Sequence, residues 1–227
     1  MVNYMTRKNK YSNSHKYELT RDRLLDVAED LFAQRGYHAV SVREITKAAE
    51  SNLAAVNYHF GNKQNLYLEV FRSRWMPRAG QIQQRFRQAL KNNGNPTPNM
   101  VVQYFARAFL EGPMSTDERT RHLKLISGEL AQPTEAFELV VEQVFRPLFG
   151  KLLEDLRKVM PESIDEKKMV LNVFSILSMV LYFNFARPLI TRFVGSPEGA
   201  DLETRLVDHI VQFSLNGIDT GKKEVGK

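Results

Sequence analysis

Residues 41–63 read SVREITKAAESNLAAVNYHFGNK, and the fold turns on how that run divides. Ser41-Val42-Arg43-Glu44 is a capping box: the serine hydroxyl can satisfy a backbone NH in the first turn of a helix, and the glutamate can reach back to the serine's own NH. It opens a short helix through Ile45, Ala48 and Ala49. Asn52 is placed to cap a second short helix, Leu53 to Phe60. Gly61 breaks that helix, and Asn62 can cap a longer one from Lys63 towards Lys91. Two short helices joined by a tight turn, with Ala48, Ala49 and Val56 small or apolar where they cross, form a helix-turn-helix once a third helix braces them. The brace lies upstream, where Leu24, Val27, Ala28, Leu31 and Phe32 follow the i, i+3, i+4, i+7, i+8 spacing of an amphipathic helix that Gly36 ends.

The free face of the second short helix suits double-stranded DNA. Ala54 and Ala55 are small enough to let the backbone approach base edges, while Asn57, Tyr58 and His59 can reach bases or phosphates. Lys63 adds charge to helix-start NH groups that already favour phosphate. The charge distribution agrees. The net charge is +6, but residues 1–91 hold 16 Lys and Arg against 8 Asp and Glu, a local +8, and the remainder is −2. A basic portion beside a near-neutral one implies a polyanion-binding module joined to a module with another task. Residues 1–18, with Arg7, Lys8, Lys10 and Lys16 and no apolar period, read as a flexible basic arm.

Downstream, Asn92–Asn99 (NNGNPTPN) is a loop of turn formers. Helical runs follow: Met100–Leu110; a second capping box at Ser115-Thr116-Asp117-Glu118 leading to Leu130; and a helix begun by Pro133 and kinked at Pro147 on its way to Met160. A third capping box, Ser163-Ile164-Asp165-Glu166, opens a long apolar helix to about Val194, and a last helix spans Asp201–Asn216. No strand pattern appears. The fold class is all-α, a small three-helix unit leading a larger helical bundle.

Thr20-Arg21-Asp22-Arg23-Leu24-Leu25, Ala28-Glu29-Asp30-Leu31-Phe32-Ala33-Gln34-Arg35-Gly36-Tyr37, Ser41-Val42-Arg43-Glu44-Ile45 and Ala54 through Lys63 together resemble the opening of TetR-family transcription regulators. The resemblance covers residues 20–70 and implies that Asn57, Tyr58, His59 and Lys63 contact DNA, with Ser41 and Arg43 binding phosphate. Arg121-His122-Leu123 through Glu129-Leu130, Pro133-Thr134, Phe145-Arg146-Pro147, Phe185-Ala186-Arg187-Pro188 and Asp208 through Ser214 look like the CecR-type branch. The chain departs from the family at the turn, where Glu50 and Ser51 replace the usual glycine and apolar residue. A left-handed Glu50 costs about 1 kcal/mol relative to glycine.

The resemblance divides the chain into the arm (1–18), a DNA-binding domain (19–65), a ligand-binding and dimerisation domain (66–217) and a disordered tail (218–227). It implies a homodimeric, cytoplasmic, ligand-responsive repressor on a pseudo-palindromic operator, its last two helices pairing across a two-fold axis through Phe174, Leu177, Leu181, Phe185, Ile210 and Phe213. Met169–Ala186 approaches the length of a membrane span, but Asn172, Ser175, Ser178 and Asn184 interrupt it and Pro188 follows, so burial in a dimer is the preferred reading and no membrane partner is expected. The aromatic residues of the bundle mostly suit a core. Some suit a pocket for a largely apolar effector, with Tyr104, Arg107, Phe109, His122, Phe137, Phe145, Tyr182 and Asn184 as lining or anchors.

Other chemistry finds little support. With no cysteine, disulfides, zinc–thiolate sites and thiol catalysis are excluded. The five histidines lack metal-ligand spacing, and no phosphate loop, nucleotide fingerprint or G-x-S-x-G elbow occurs. The N-terminus has no secretory h-region. No catalytic residue, metal or cofactor is expected. Two other readings stay open: a DNA-organising protein without a ligand, and a helical interaction module or enzyme with a vestigial helix-turn-helix.

Overall fold

The structure, a computed structural model, describes residues 2–195 and 201–217, with side chains from Tyr17 onward. Among the described residues there is no strand. Packing divides the chain into two compact units, Met1–Pro77 with Ser115–Val140, and Arg78–Met114 with Val141–Lys227. The division does not follow the expected boundary after residue 65, because the segment 115–140 packs with the N-terminal residues. The tail 218–227 lies outside the described residues.

The first unit begins with α1 (Val2–Ala39), interrupted at Gly36, whose φ of +79° suits a residue without a Cβ. Helix reaches back to Val2 through most of the stretch expected as an arm; no proline or glycine there breaks it. Then come α2 (Val42–Ala48), α3 (Leu53–Phe60) and α4 (Lys63–Val70). Of the predicted apolar stripe, Leu24, Ala28 and Phe32 are buried and Val27 and Leu31 part-buried; Leu25, Val40, Ile45, Ala49 and Val56 are buried in the same unit. After α4 a π-type turn, Phe71–Trp75, carries the chain onward.

Helices α7 (Thr116–Ala131) and α8 (Glu135–Val140) complete this unit. Polar bonds, two of them buried, tie α7 to the others. Arg121 pairs with Glu29 at 3.6 Å and Asp30 at 3.3 Å on α1. Tyr67 donates its hydroxyl to Glu129 at 2.6 Å. Trp75 Nε1 donates to the His122 carbonyl at 2.9 Å, and the two rings stack 4.4 Å apart. These are contacts between residues 47 to 92 positions apart in the chain, so no local pattern announces them. Pro133 does not start α8, which begins at Glu135 after Thr134 has turned its NH and hydroxyl onto Glu129.

The second unit contains α5 (Met76–Lys91), α6 (Pro98–Leu110), α9 (Arg146–Val159), α10 (Glu166–Phe185), α11 (Arg187–Val194) and α12 (Asp201–Gly217). Its core is one cluster: Val101, Phe105 and Leu110 of α6, Leu152 and Leu156 of α9, Val173 and Val180 of α10, and Val207 and Ile210 of α12. Burying each such side chain contributes about 1.5–3 kcal/mol. Where a kink is expected at Pro147, a π-type turn, Val141–Phe145, leads into α9 and the proline sits in the first turn of that helix. Two boundaries differ from expectation. Asp165, not Ser163, caps α10, accepting from the NH groups of Lys167 and Lys168. The helix also stops at Phe185, because Pro188 cannot supply an NH and instead sits in the first turn of α11.

Candidate nucleic-acid interface

Ser41 accepts from the Glu44 NH at 3.2 Å, and Glu44 accepts from the Ser41 NH at 2.8 Å and its hydroxyl at 2.7 Å, so the capping box forms in full. These bonds, with Arg35 at 2.7 Å, hold the Glu44 carboxyl well below the ordinary range, at about 2. The Ser41 hydroxyl, expected on phosphate, is thus engaged within its own helix start. Helix α3 starts as the sequence predicts, with Asn52 Oδ1 accepting from the Ala55 NH at 2.9 Å.

Between them the turn is a Schellman closure. The Ser51 NH reaches the Thr46 carbonyl at 2.8 Å and the Glu50 NH reaches Lys47 at 3.2 Å. This places Glu50 in the left-handed seat, at φ +48°. The turn therefore keeps its geometry without glycine. Arg23 supports the misfit residue, its guanidinium 3.5 Å from the Glu50 carboxylate and 3.3 Å from its carbonyl.

Helix α3 buries Val56 and Phe60 and leaves Ala54, Asn57 and Tyr58 outward, Tyr58 with 75% of its surface free. A phenol so exposed, beside small residues, is shaped for a partner surface. Arg43 is exposed on α2, and its side chain has no ionic partner among the described residues. Lys47, one turn further along the same helix, is equally free; the sequence reading passed over it although its i+4 spacing from Arg43 was visible.

Two expected contacts are held differently. His59 is half-buried under Tyr17, ring centroids 4.3 Å apart, with its Nδ1 lacking a protein partner. Burial, then the Arg21 charge, lowers its pKa. Lys63 lies with Nζ 4.3 Å from the Tyr37 ring centroid, a cation–π seat. Its pKa is lowered by burial against the opposing pull of Glu44. Tyr17 itself, edge-on to Tyr58 at 5.5 Å, was missed because it sits in the stretch read as an arm.

The residues expected to line one effector pocket divide between the two units. His122 is stacked on Trp75, and it and Phe137 belong to the first unit. In the second unit Tyr104 and Arg107 border a cleft of about 220 Å³ with Arg85 and Glu111. Asn184 is buried and donates to the Phe109 carbonyl at 3.4 Å. Phe145 is half-buried at the π-type turn, and Tyr182 is on the outside. Of the dimer residues, Phe174, Phe185 and Phe213 are more than half exposed and Leu177 and Leu181 part-buried. Ile210 is corrected: it is 0% exposed, and the inward face of α12 points it into its own core.

Comparison with known proteins gives this geometry its context. The family described as "Bacterial regulatory proteins, tetR family" matches residues 24–70. The family described as "HTH-type transcriptional dual regulator CecR, C-terminal domain" matches residues 99–218. The transcriptional dual regulator CecR of Shigella flexneri is 27% identical over 214 residues, covering 91% of this chain and 94% of that protein. The transcriptional regulator QacR of Staphylococcus aureus is 41% identical over 58 residues, 24% of this chain and 31% of that one. A TetR-family regulator from Bordetella parapertussis shares the fold, with a TM-score of 0.63 at 19% identity over 87% of this chain and 95% of that one. The protein is a DNA-binding transcriptional regulator, and it belongs to the TetR family, in the branch that carries the CecR-type C-terminal domain.

Proposed function

We propose that the protein works as a homodimeric, effector-responsive repressor whose two α3 helices enter successive major grooves of a pseudo-palindromic operator. The spacing between half-sites is then about 34 Å, one helical turn. The observation that carries the reading is the outward face of α3, where Ala54, Asn57 and Tyr58 stand exposed, together with the exposed Arg43 and Lys47 of α2, which have no ionic partner among the described residues. Ala54, Ala55, Asn57 and Tyr58 would lie against base edges or backbone, with His59 as a donor or acceptor. Arg43 and Lys63 would lie against phosphates, Lys63 after leaving its seat on Tyr37.

Support for the dimer comes from α10. It is long and apolar enough to cross a membrane by length and composition, yet less than a third of it is buried within the chain. Leu171, Phe174, Tyr182 and Phe185 are each more than half exposed, joined by Phe213 of α12. A patch of that kind on a regulator that acts on DNA is explained by a second copy covering it. Work on chromosomal DNA also implies a cytoplasmic location. The cleft beside Tyr104 and Arg107 offers an effector two arginines and a phenol ring, and release from DNA follows if a ligand favours a dimer whose α3 spacing no longer fits.

In vitro selection from random duplexes tests the assignment. The expected product is an inverted repeat with half-sites about one turn apart, bound less tightly after Tyr58→Ala or Lys63→Ala at unchanged helicity. Enrichment of a single unrepeated site, or undiminished binding by both variants, overturns it.

A further inference from the structure

A cavity of about 110 Å³ opens inside the first unit, against the end of α1, α4 and α7. Its walls combine rings with a charge. Phe32 and Tyr67 meet edge to face, centroids 4.8 Å apart, and Tyr37 lies 4.8 Å from Tyr67. The charge is Glu129, 1% exposed. Its Oε1 accepts from the Tyr67 hydroxyl at 2.6 Å, its Oε2 from the Thr134 NH at 2.9 Å, and the Thr134 hydroxyl lies 3.0 Å from both oxygens. Among the described residues no Lys, Arg or His pairs with it.

Neutral donors alone leave much of the desolvation cost of a buried carboxylate uncompensated, and a cation beside it removes that cost. Aromatic faces add attraction for the same kind of ligand. Lys124 and His38 also border the cavity, but both are exposed and screened by solvent, whereas Glu129 is not. We propose that this cavity binds a small organic monocation, an alkylammonium of about four or five non-hydrogen atoms, with Glu129 as counter-ion and Phe32, Tyr37 and Tyr67 as its aromatic walls. Benzene fills an apolar cavity of about 150 Å³, which sets the size.

The site reaches the DNA-facing residues through one ring. Tyr37 both borders the cavity and seats Lys63. A cation in the cavity competes with the Lys63 ammonium for the same ring, so occupancy shifts Lys63 and changes DNA affinity. This coupling rests on the assignment of Lys63 to DNA; the binding site does not.

Titration calorimetry on the full chain with tetramethylammonium chloride at constant ionic strength tests the site, with tert-butanol as a neutral counterpart. Saturable binding of one cation per chain is expected, with tert-butanol at least about tenfold weaker. Glu129→Gln should weaken the cation by a similar factor. Gly128→Leu should do so without removing the Glu129 carboxylate: Gly128 lines the cavity and a Cβ there meets nothing within 4 Å, so the larger side chain is accommodated at the cavity wall without displacing a neighbour. If Glu129→Gln does not fold by circular dichroism, Gly128→Leu decides. No binding by the native chain, equal binding of tert-butanol, or undiminished binding by a folded Gly128→Leu overturns the site. For the coupling, tetramethylammonium should lower affinity for the selected duplex in the native chain and not in Lys63→Ala. Cation binding with unchanged DNA affinity overturns the coupling and keeps the site, and a chain that binds no duplex at all contradicts only the DNA assignment.

Discussion

Replacing Glu50 by glycine and by alanine separates the backbone of the turn from its charge. Glu50 stands at φ +48° in the left-handed seat that ends α2. For a residue with a Cβ that conformation costs about 1–2 kcal/mol. Both replacements remove the carboxylate and with it the pair to Arg23, whose side chains are 50% and 84% exposed at 3.5 Å for Arg23 and Glu50 respectively. A pair that exposed contributes at most about 0.5 kcal/mol, equally in the two variants. Both retain the Arg23 bond to the carbonyl of residue 50, 3.3 Å in the native chain. They differ in two terms. Glycine relieves the left-handed cost, and it loses about 0.4–1 kcal/mol through the greater freedom of its unfolded chain. Glycine should therefore be more stable than alanine, by about 0.8 kcal/mol at the middle of these ranges, or about 2–3 °C in Tm for a chain of this length. Trp75 is the assay: the sole tryptophan, 2% exposed and stacked on His122 in the same unit as the turn, so its emission reports that unit's unfolding. An alanine variant as stable as the glycine one would refute the left-handed strain argument.

Other perturbations give further tests. Glu44, held down to about 2 from 4.5 by Ser41 and Arg35, contributes stability that is present above pH 4.5 and lost as pH falls through about 2. Thermal unfolding over that interval should fall more steeply in the native chain than in Glu44→Gln, and parallel slopes would contradict the capping-box account. Phe174→Glu sets a charge twice into the proposed two-fold interface, so sedimentation should show monomer at concentrations where the native chain is dimeric; an unchanged dimer places the interface elsewhere. Arg43→Ala should reduce the slope of log affinity against log salt by about one and weaken all duplexes alike. A loss confined to one sequence would make Arg43 a base reader instead. Tyr17→Ala should disturb α3 binding through Tyr58 and His59, with Trp75-monitored stability nearly unchanged, and equal affinity would confine Tyr17 to packing.

Much of the helix architecture around the candidate interface was legible because its causes are local. A capping box spans four residues, a helix stop needs one glycine, and an amphipathic stripe shows within two turns; hence Ser41, Asn52, Gly36 and the Leu24–Phe32 face all behave as read. The boundaries that moved, at Asp165 and Phe185, also have local causes, since an aspartate closer to the helix can take the cap and Pro188 lacks an NH.

By itself the sequence determined an all-α chain, a helix-turn-helix whose turn carries Glu50 where glycine is usual, a basic first part and a resemblance to the TetR family. Tertiary structure decided which faces are used. It turned Ile210 inward while leaving Phe213 of the same helix outward, and it brought 115–140 to the first unit. It stacked His122 on Trp75 and seated Lys63 on Tyr37. It also buried Glu129 beside three aromatic rings, with no Lys, Arg or His paired to it among the described residues. Caps and periodicity depend on neighbours a few residues away, whereas burial and pairing depend on partners that only the folded chain brings within reach.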